Sequence, residues 1–173
     1  GEAPFNGRVE KIDSVVPSLV SSAFSLQLQR FFGKTVAVAF DSRIIVAPSI
    51  EKILGYLSWR QTNAWRNHNN AYAYWLFRKM GYKPPEIAKK LKGMKTEEIH
   101  EALLEHGVNL AETPPWQRRG ILIHKEPYQK RIANQSVTRW KITEKWDIPL
   151  FSSEEGTKLI RKIFEWIRQK RRT

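Results

Sequence analysis

The chain has no cysteine, which excludes disulfides, thiolate metal sites and a cysteine nucleophile. Acids are also scarce, with 17 Asp and Glu against 30 Lys and Arg. Asp occurs only at Asp13, Asp41 and Asp147, too far apart in sequence to read as the carboxylate cluster of a two-metal nucleotidyl or phosphoryl transferase. Asp41 follows an apolar run where a metal ligand could sit, but a turn-forming Asp is the better reading. His100 and His106 are six residues apart, about 240° around a helix, and cannot share a ligand. His68 and His124 stand alone and read as structural or surface residues. The nine glycines are scattered, so no Gly-rich phosphate loop is present. No apolar run is long enough to predict a membrane span. Gly1–Gly7 has neither a basic region nor an apolar stretch of the kind that makes a signal peptide, and a cytoplasmic setting is expected.

What is abundant is positive charge. The 173 residues carry a formal charge of +13 with a pI near 10.1, together with 7 Trp, 5 Tyr and 8 Phe. That balance predicts a polyanionic partner, most simply nucleic acid, because neutralised phosphates release counterions. The plainer alternative is a solvated, solubilising surface.

Apolar spacing predicts a helix over 12–32 that stops at Gly33. Two short strands are expected at Thr35–Phe40 and Ile44–Val46, with a turn at 41–43. Ser49 is a plausible cap for a helix after Pro48, and a long helix is expected from about Leu57 to Met80. Shorter helices follow from Pro84 to Leu91 and from Thr96 to Gly107. Residues 120–125 and 136–142 alternate as a hairpin with a long loop between them. Ser152 or Ser153 caps a last helix that runs into a basic tail. The order predicts an α+β fold, and strands this short must extend a sheet begun elsewhere.

Three basic or aromatic groups remain as candidate chemistry. Arg8 and Lys11 stand at a helix entry, where free N–H groups and the dipole favour phosphate, although solvated charges there are also reasonable. Ser58–Asn70 crowds Trp59, Trp65, Arg60, Arg66 and several Asn into a helix, poor choices for propensity alone but suited to phosphates and bases. Its aromatics could equally be core. Arg118 and Arg119 before the hairpin, and the cations of the last helix and tail, are less specific.

Phe40-Asp-Ser-Arg43, Pro48-Ser49 and Ser58-Trp-Arg-Gln61, followed in register by Lys92-Gly93, Gly107-Val-Asn109 and Arg118-Arg-Gly120, resemble the tRNA-His guanylyltransferase family. The likeness covers residues from about 7 to 126. It implies an enzyme that adds nucleotides 3′-to-5′ at a tRNA 5′ end with a polymerase-like palm. Residues 1–48 would be the C-terminal part of that palm, and 49–173 a helical tRNA-binding subdomain with its hairpin near 120–142. The resemblance places Arg8, Lys11 and Ser14 on the NTP triphosphate. It places Arg60, Arg66, Asn67, His68, Asn70, Asn109, Arg118 and Arg119 against tRNA or nucleotide. Trp65 stands where the eukaryotic His-Ile-Asn-Asn-Leu-Tyr-Asn motif has its leading His, a form more like the archaeal branch.

The family's metal-binding Gly-Asp-Gly and Ser-Asp-Glu blocks do not occur here. The resemblance therefore implies that the Asp ligands for Mg²⁺ lie on a separate N-terminal palm-containing chain, as in a split enzyme that is inactive without it. GTP or ATP would be substrates, tRNA a partner, and the assembled enzyme a dimer or tetramer. The alternative reading is a non-catalytic tRNA-binding module derived from the same family. A structural interaction protein would leave the amide-rich helix unexplained.

Overall fold

A computed structural model describes residues 4–133 and 135–170. The chain divides into two compact units, Gly1–Pro48 and Ser49–Thr173.

In the first unit, helix α1 (Val9–Phe32) follows a short 3-10 turn. It ends at Gly33, whose φ of 62° is a left-handed value that glycine adopts at little cost. The strands expected at 35–40 and 44–46 do not form, and neither does the turn at 41–43. Their β-branched residues favour extended backbone, but a ladder needs a partner strand, and among the described residues none pairs with them. The segment instead runs back along α1 on side-chain hydrogen bonds. Thr35 donates to Gln29 Oε1 (2.9 Å), the Val38 N–H to Ser25 Oγ (3.0 Å) and the Phe40 N–H to Ser21 Oγ (2.9 Å). The Ser42 hydroxyl reaches Asp13 Oδ1 at 2.9 Å, and Phe40 meets Phe24 edge-on at 5.4 Å.

The second unit is organised by α2 (Ile50–Lys79), one continuous 30-residue helix where two were expected. Gly55 does not break it, because an isolated helical glycine costs only about 1 kcal/mol relative to Ala. Ser49 caps its start, accepting the Lys52 N–H. Helices α3 (Pro84–Leu91) and α4 (Thr96–Leu104) each carry in the first turn a glutamate that accepts a backbone N–H: Glu86 from Lys83 and Glu98 from Lys95, both at 2.7 Å. They close on the C-terminal half of α2 around Ala73, Phe77, Ile87, Ile99, Leu103 and Leu110.

After the short helix α5 (Pro115–Arg119), strands β1 (Leu122–Ile132) and β2 (Gln135–Lys145) pair antiparallel from Leu122↔Lys145 to Ile132↔Gln135. The expected long loop is thus mostly strand. Polar residues and Pro127 hid it, and a two-stranded ribbon open on both edges tolerates them. Helix α6 (Glu154–Lys170) is capped by Ser153, which accepts the Gly156 N–H at 3.1 Å. A second core of Leu54, Ile148, Phe151 and Ile160 joins α6 to the N-terminal half of α2.

Candidate nucleic-acid interface

Helical spacing sorts the polar stretch of α2. Trp65, His68, Asn69 and Tyr72 fall at i, i+3, i+4 and i+7, on one face. The Trp65 ring stacks on His68 at 5.6 Å between centroids and meets His100 of α4 edge-on at 5.5 Å, while His68 meets Tyr72 at 4.6 Å. His68 is buried, and its Nε2 lies 3.0 Å from Thr113 Oγ1. The Thr113 hydroxyl donates to the Leu110 carbonyl at 2.7 Å, so the proton between Thr113 and His68 is the imidazole's own. Burial first, then the nearby Arg118 and His100, holds the His68 pKa below its ordinary 6.5. Asn69 donates to His100 Nε2 at 3.4 Å, and its Oδ1 is buried without a partner among the described residues.

Gln61 has a different task. It is buried, donates to the Pro149 carbonyl at 3.0 Å and accepts the Phe151 N–H at 2.7 Å, which fastens residues 149–151 to α2.

Two clefts flank this row. The first, about 410 Å³, is lined by Ser58, Gln61, Thr62, Trp65, Arg118, Arg119, Leu150 and Ser152. Arg119 donates to the Ile148 carbonyl at 3.0 Å. Arg118 Nε is buried with no hydrogen-bond partner among the described residues, which costs free energy. The second cleft, about 690 Å³, extends toward the C-terminal end of α2 past Asn67, His68, Tyr72, Trp75 and Lys79. Helix α5 serves both, since Trp116 and Gln117 line the second cleft and Arg118 and Arg119 the first.

The remaining candidates are dispersed. Arg60 lies over the Trp59 ring at 5.7 Å, and Arg66 donates to Asn63 Oδ1 at 3.1 Å. Neither these two nor Asn70 and Asn109 line either of the two clefts described above. Asn109 caps a short 3-10 turn, accepting the Ala111 N–H at 3.0 Å and donating to Glu112 at 2.9 Å. Arg8, Lys11 and Ser14 belong to the first unit. Arg8 is the N-cap of α1, Lys11 is exposed in its first turn, and the Ser14 hydroxyl donates back to the Glu10 carbonyl at 2.6 Å. Sequence reasoning left Tyr72, His100, Thr113 and Gln117 off the list. The spacing from Trp65 to Tyr72 could have found Tyr72, whereas the others reach the site only through tertiary packing.

The hairpin adds a second basic surface. Near its base, Lys141 binds Glu126 at 2.9 Å, and His124 stacks on Trp166 of α6 with the rings 3° from parallel. Burial is the main cause of the lowered His124 pKa, opposed by Glu126 and assisted by Lys145. Farther out, Lys130, Arg131 and Arg139 are exposed, with Tyr128 paired across from Arg139. Among the described residues no three His, Asp or Glu come together to hold a metal ion, and no helix is long and apolar enough to cross a membrane.

Comparison with known proteins gives this geometry a family. A protein named Probable tRNA(His) guanylyltransferase in Dictyostelium discoideum is 32% identical over 79% of this chain and 56% of its own length. The tRNA(His) guanylyltransferase of Candida glabrata is 31% identical over 69% of this chain and 53% of its own. The chain spans about half the length of the curated relatives it matches. The solved structure of a bacterial tRNA(His) guanylyltransferase (Thg1)-like protein in complex with ATP shares the fold, with a TM-score of 0.65 at 22% identity over 94% of this chain and 61% of that one. The profile of the Thg1 C-terminal domain matches residues 51–162, and the chain belongs to that family, the C-terminal region of tRNA(His) guanylyltransferases.

Proposed function

We propose that this chain supplies the RNA-binding and nucleotide-binding part of an enzyme that adds nucleotides to a tRNA 5′ end. The observation that carries this reading is Arg118. Its side chain lines a cleft with Trp65 and Arg119, and its Nε has no hydrogen-bond partner among the described residues, which leaves the guanidinium charge unpaired for a phosphate in the cleft. Arg8 and Lys11 at the start of α1 are the proposed contacts for the triphosphate of GTP or ATP, with Ser14 one turn on. The basic outer half of the hairpin is suited to further RNA backbone.

The described residues do not offer a Mg²⁺ site, and no chemical step is assigned to them. The carboxylates are proposed to come from the palm region of the relatives that this chain does not span, on a partner chain of a split, archaeal-like enzyme. The assembly would be a cytoplasmic dimer or tetramer, and residues 1–48 would complete its palm.

Titrating tRNA and GTP separately tests the assignment. Arg118→Ala should weaken tRNA binding by about 1.5–3 kcal/mol, roughly ten- to a hundredfold, and reduce its salt dependence. Arg8→Ala and Lys11→Ala should weaken GTP selectively. Unchanged tRNA affinity in Arg118→Ala rules out the phosphate role, and unchanged GTP affinity in the other two rules out the triphosphate clamp.

A further inference from the structure

The second cleft includes Asn67 and His68, which the family resemblance places against tRNA or nucleotide, but most of its lining has been given no role. Two tryptophans expose their rings there, Trp75 at 64% and Trp116 at 43%. Large apolar rings left in water require a reason. Trp75 touches Tyr74 edge-on at 5.6 Å, and Trp116 meets Trp146 edge-on at 6.1 Å, so both are held by ring edges. Beside them stand two amides. Gln117 Oε1 accepts the Tyr72 hydroxyl at 2.6 Å, which orients its NH₂ group, and that group has no hydrogen-bond partner among the described residues. Asn67 likewise has no side-chain partner among them. Lys79 stands at the C-terminal end of the cleft.

We infer that this cleft takes an unpaired nucleobase of a single-stranded RNA segment whose phosphate lies in the neighbouring cleft at Arg118. The inference rests on the phosphate reading of Arg118 and adds a second site to it. Helix α5 supplies the link: Trp116 and Gln117 face the base, and the next residue, Arg118, faces the phosphate. One nucleotide joins a flat aromatic ring to an anion in the same way. Indole faces stack on any base, and amides complement base edges in a defined orientation. An apolar peptide would satisfy the rings but not the two amides or Lys79. The charge of +13 also favours a polyanion over a neutral occupant.

The full 173-residue chain is titrated with a short oligoadenylate, with the same ribose-phosphate strand lacking bases, and with duplex RNA of equal length. Trp75→Ala should weaken oligoadenylate binding by roughly five- to a hundredfold, the range of one lost base stack, while the base-free strand and the duplex change by less than about twofold. Trp75→Phe should recover most of the loss, since a phenyl ring still stacks. Trp75 is exposed, so these substitutions leave the core intact, which the thermal transition verifies. If Trp75→Ala and Trp116→Ala bind oligoadenylate like the parent while Arg118→Ala is impaired for all three ligands, the base site is wrong and the phosphate site stands. If Trp75→Ala weakens all three ligands alike, Trp75 reads no base and the inference falls. Self-association that is abolished by Trp75→Ala would assign the cleft to protein and overturn it too. Unchanged binding in Arg118→Ala removes the phosphate reading and this inference with it.

Discussion

Each unit ties one segment without helix or strand structure to a helix through hydrogen bonds, and the two do so on different footings. In the first, the amides of Val38 and Phe40 hydrogen-bond to the hydroxyls of Ser25 and Ser21 on α1. Of the described residues there only Pro17 is buried, while Leu19, Leu26 and Phe31 are mostly in water. In the second, Gln61 grips the backbone of 149–151 from both sides, while Ile148 and Phe151 sit in a core with Leu54 and Ile160. Water competes for the first set of hydrogen bonds and is excluded from the second. The same type of contact therefore contributes very different stability, because burial sets what its loss costs.

The largest expected effect probes the cores themselves. Phe151→Ala, which removes a ring 6% exposed, should destabilise the chain by about 3–5 kcal/mol in urea unfolding. Leu26→Ala, at a site 75% exposed, should change it by no more than about 0.5 kcal/mol. Equal costs at the two sites would erase the distinction between the units.

Gln61→Ala comes next. It strands the Pro149 carbonyl and the Phe151 N–H in a buried place, at about 1–3 kcal/mol for each group left unsatisfied. Gln61→Glu retains an acceptor for Phe151 but turns a carboxylate toward the Pro149 carbonyl, and should not restore stability. Urea midpoints that match the parent for either variant would show that segment 149–151 is held by its apolar packing alone.

Much of this was legible in the sequence, because local rules decided it. The stops at Gly33 and Gly81, the cap at Ser49 and the helix from Pro84 to Leu91 depend on residues within a turn of one another. The strands at 35–40 and 44–46 failed because β-propensity reports an extended backbone and says nothing of a partner. A helix after Pro48 and a second from about Leu57 were expected, but they are one, since a single helical glycine at Gly55 is too weak a breaker against the flanking turns and the burial of Leu54. At the candidate site, charge and amide content pointed to the stretch of α2 that lines the two clefts, without separating its roles. Gln61 became structural through partners that only the fold brings near, Asn109 by capping a local turn, and the partners of Trp65 come from α4 and α5.

The smallest effect belongs to the exposed segment of the first unit. Ser25→Ala and Ser21→Ala each remove one acceptor, from the Val38 and Phe40 amides respectively. Those amides then turn to water instead of being buried unpaired, so the loss should be about 1 kcal/mol or less per site. Global unfolding would hardly register it. Hydrogen exchange would, because an amide released from a hydroxyl acceptor exchanges faster wherever the segment opens locally. Ser25→Ala should speed the Val38 amide most, and Ser21→Ala the Phe40 amide, with the Gln61-bound Phe151 amide unchanged in both. Ser25→Thr keeps a hydroxyl at the same place and should leave Val38 protected. If both alanine variants exchange at the parent rate, the serines do not hold the segment. The Phe24–Phe40 edge contact at 5.4 Å would then be the feature that does, and Phe24→Ala should release it.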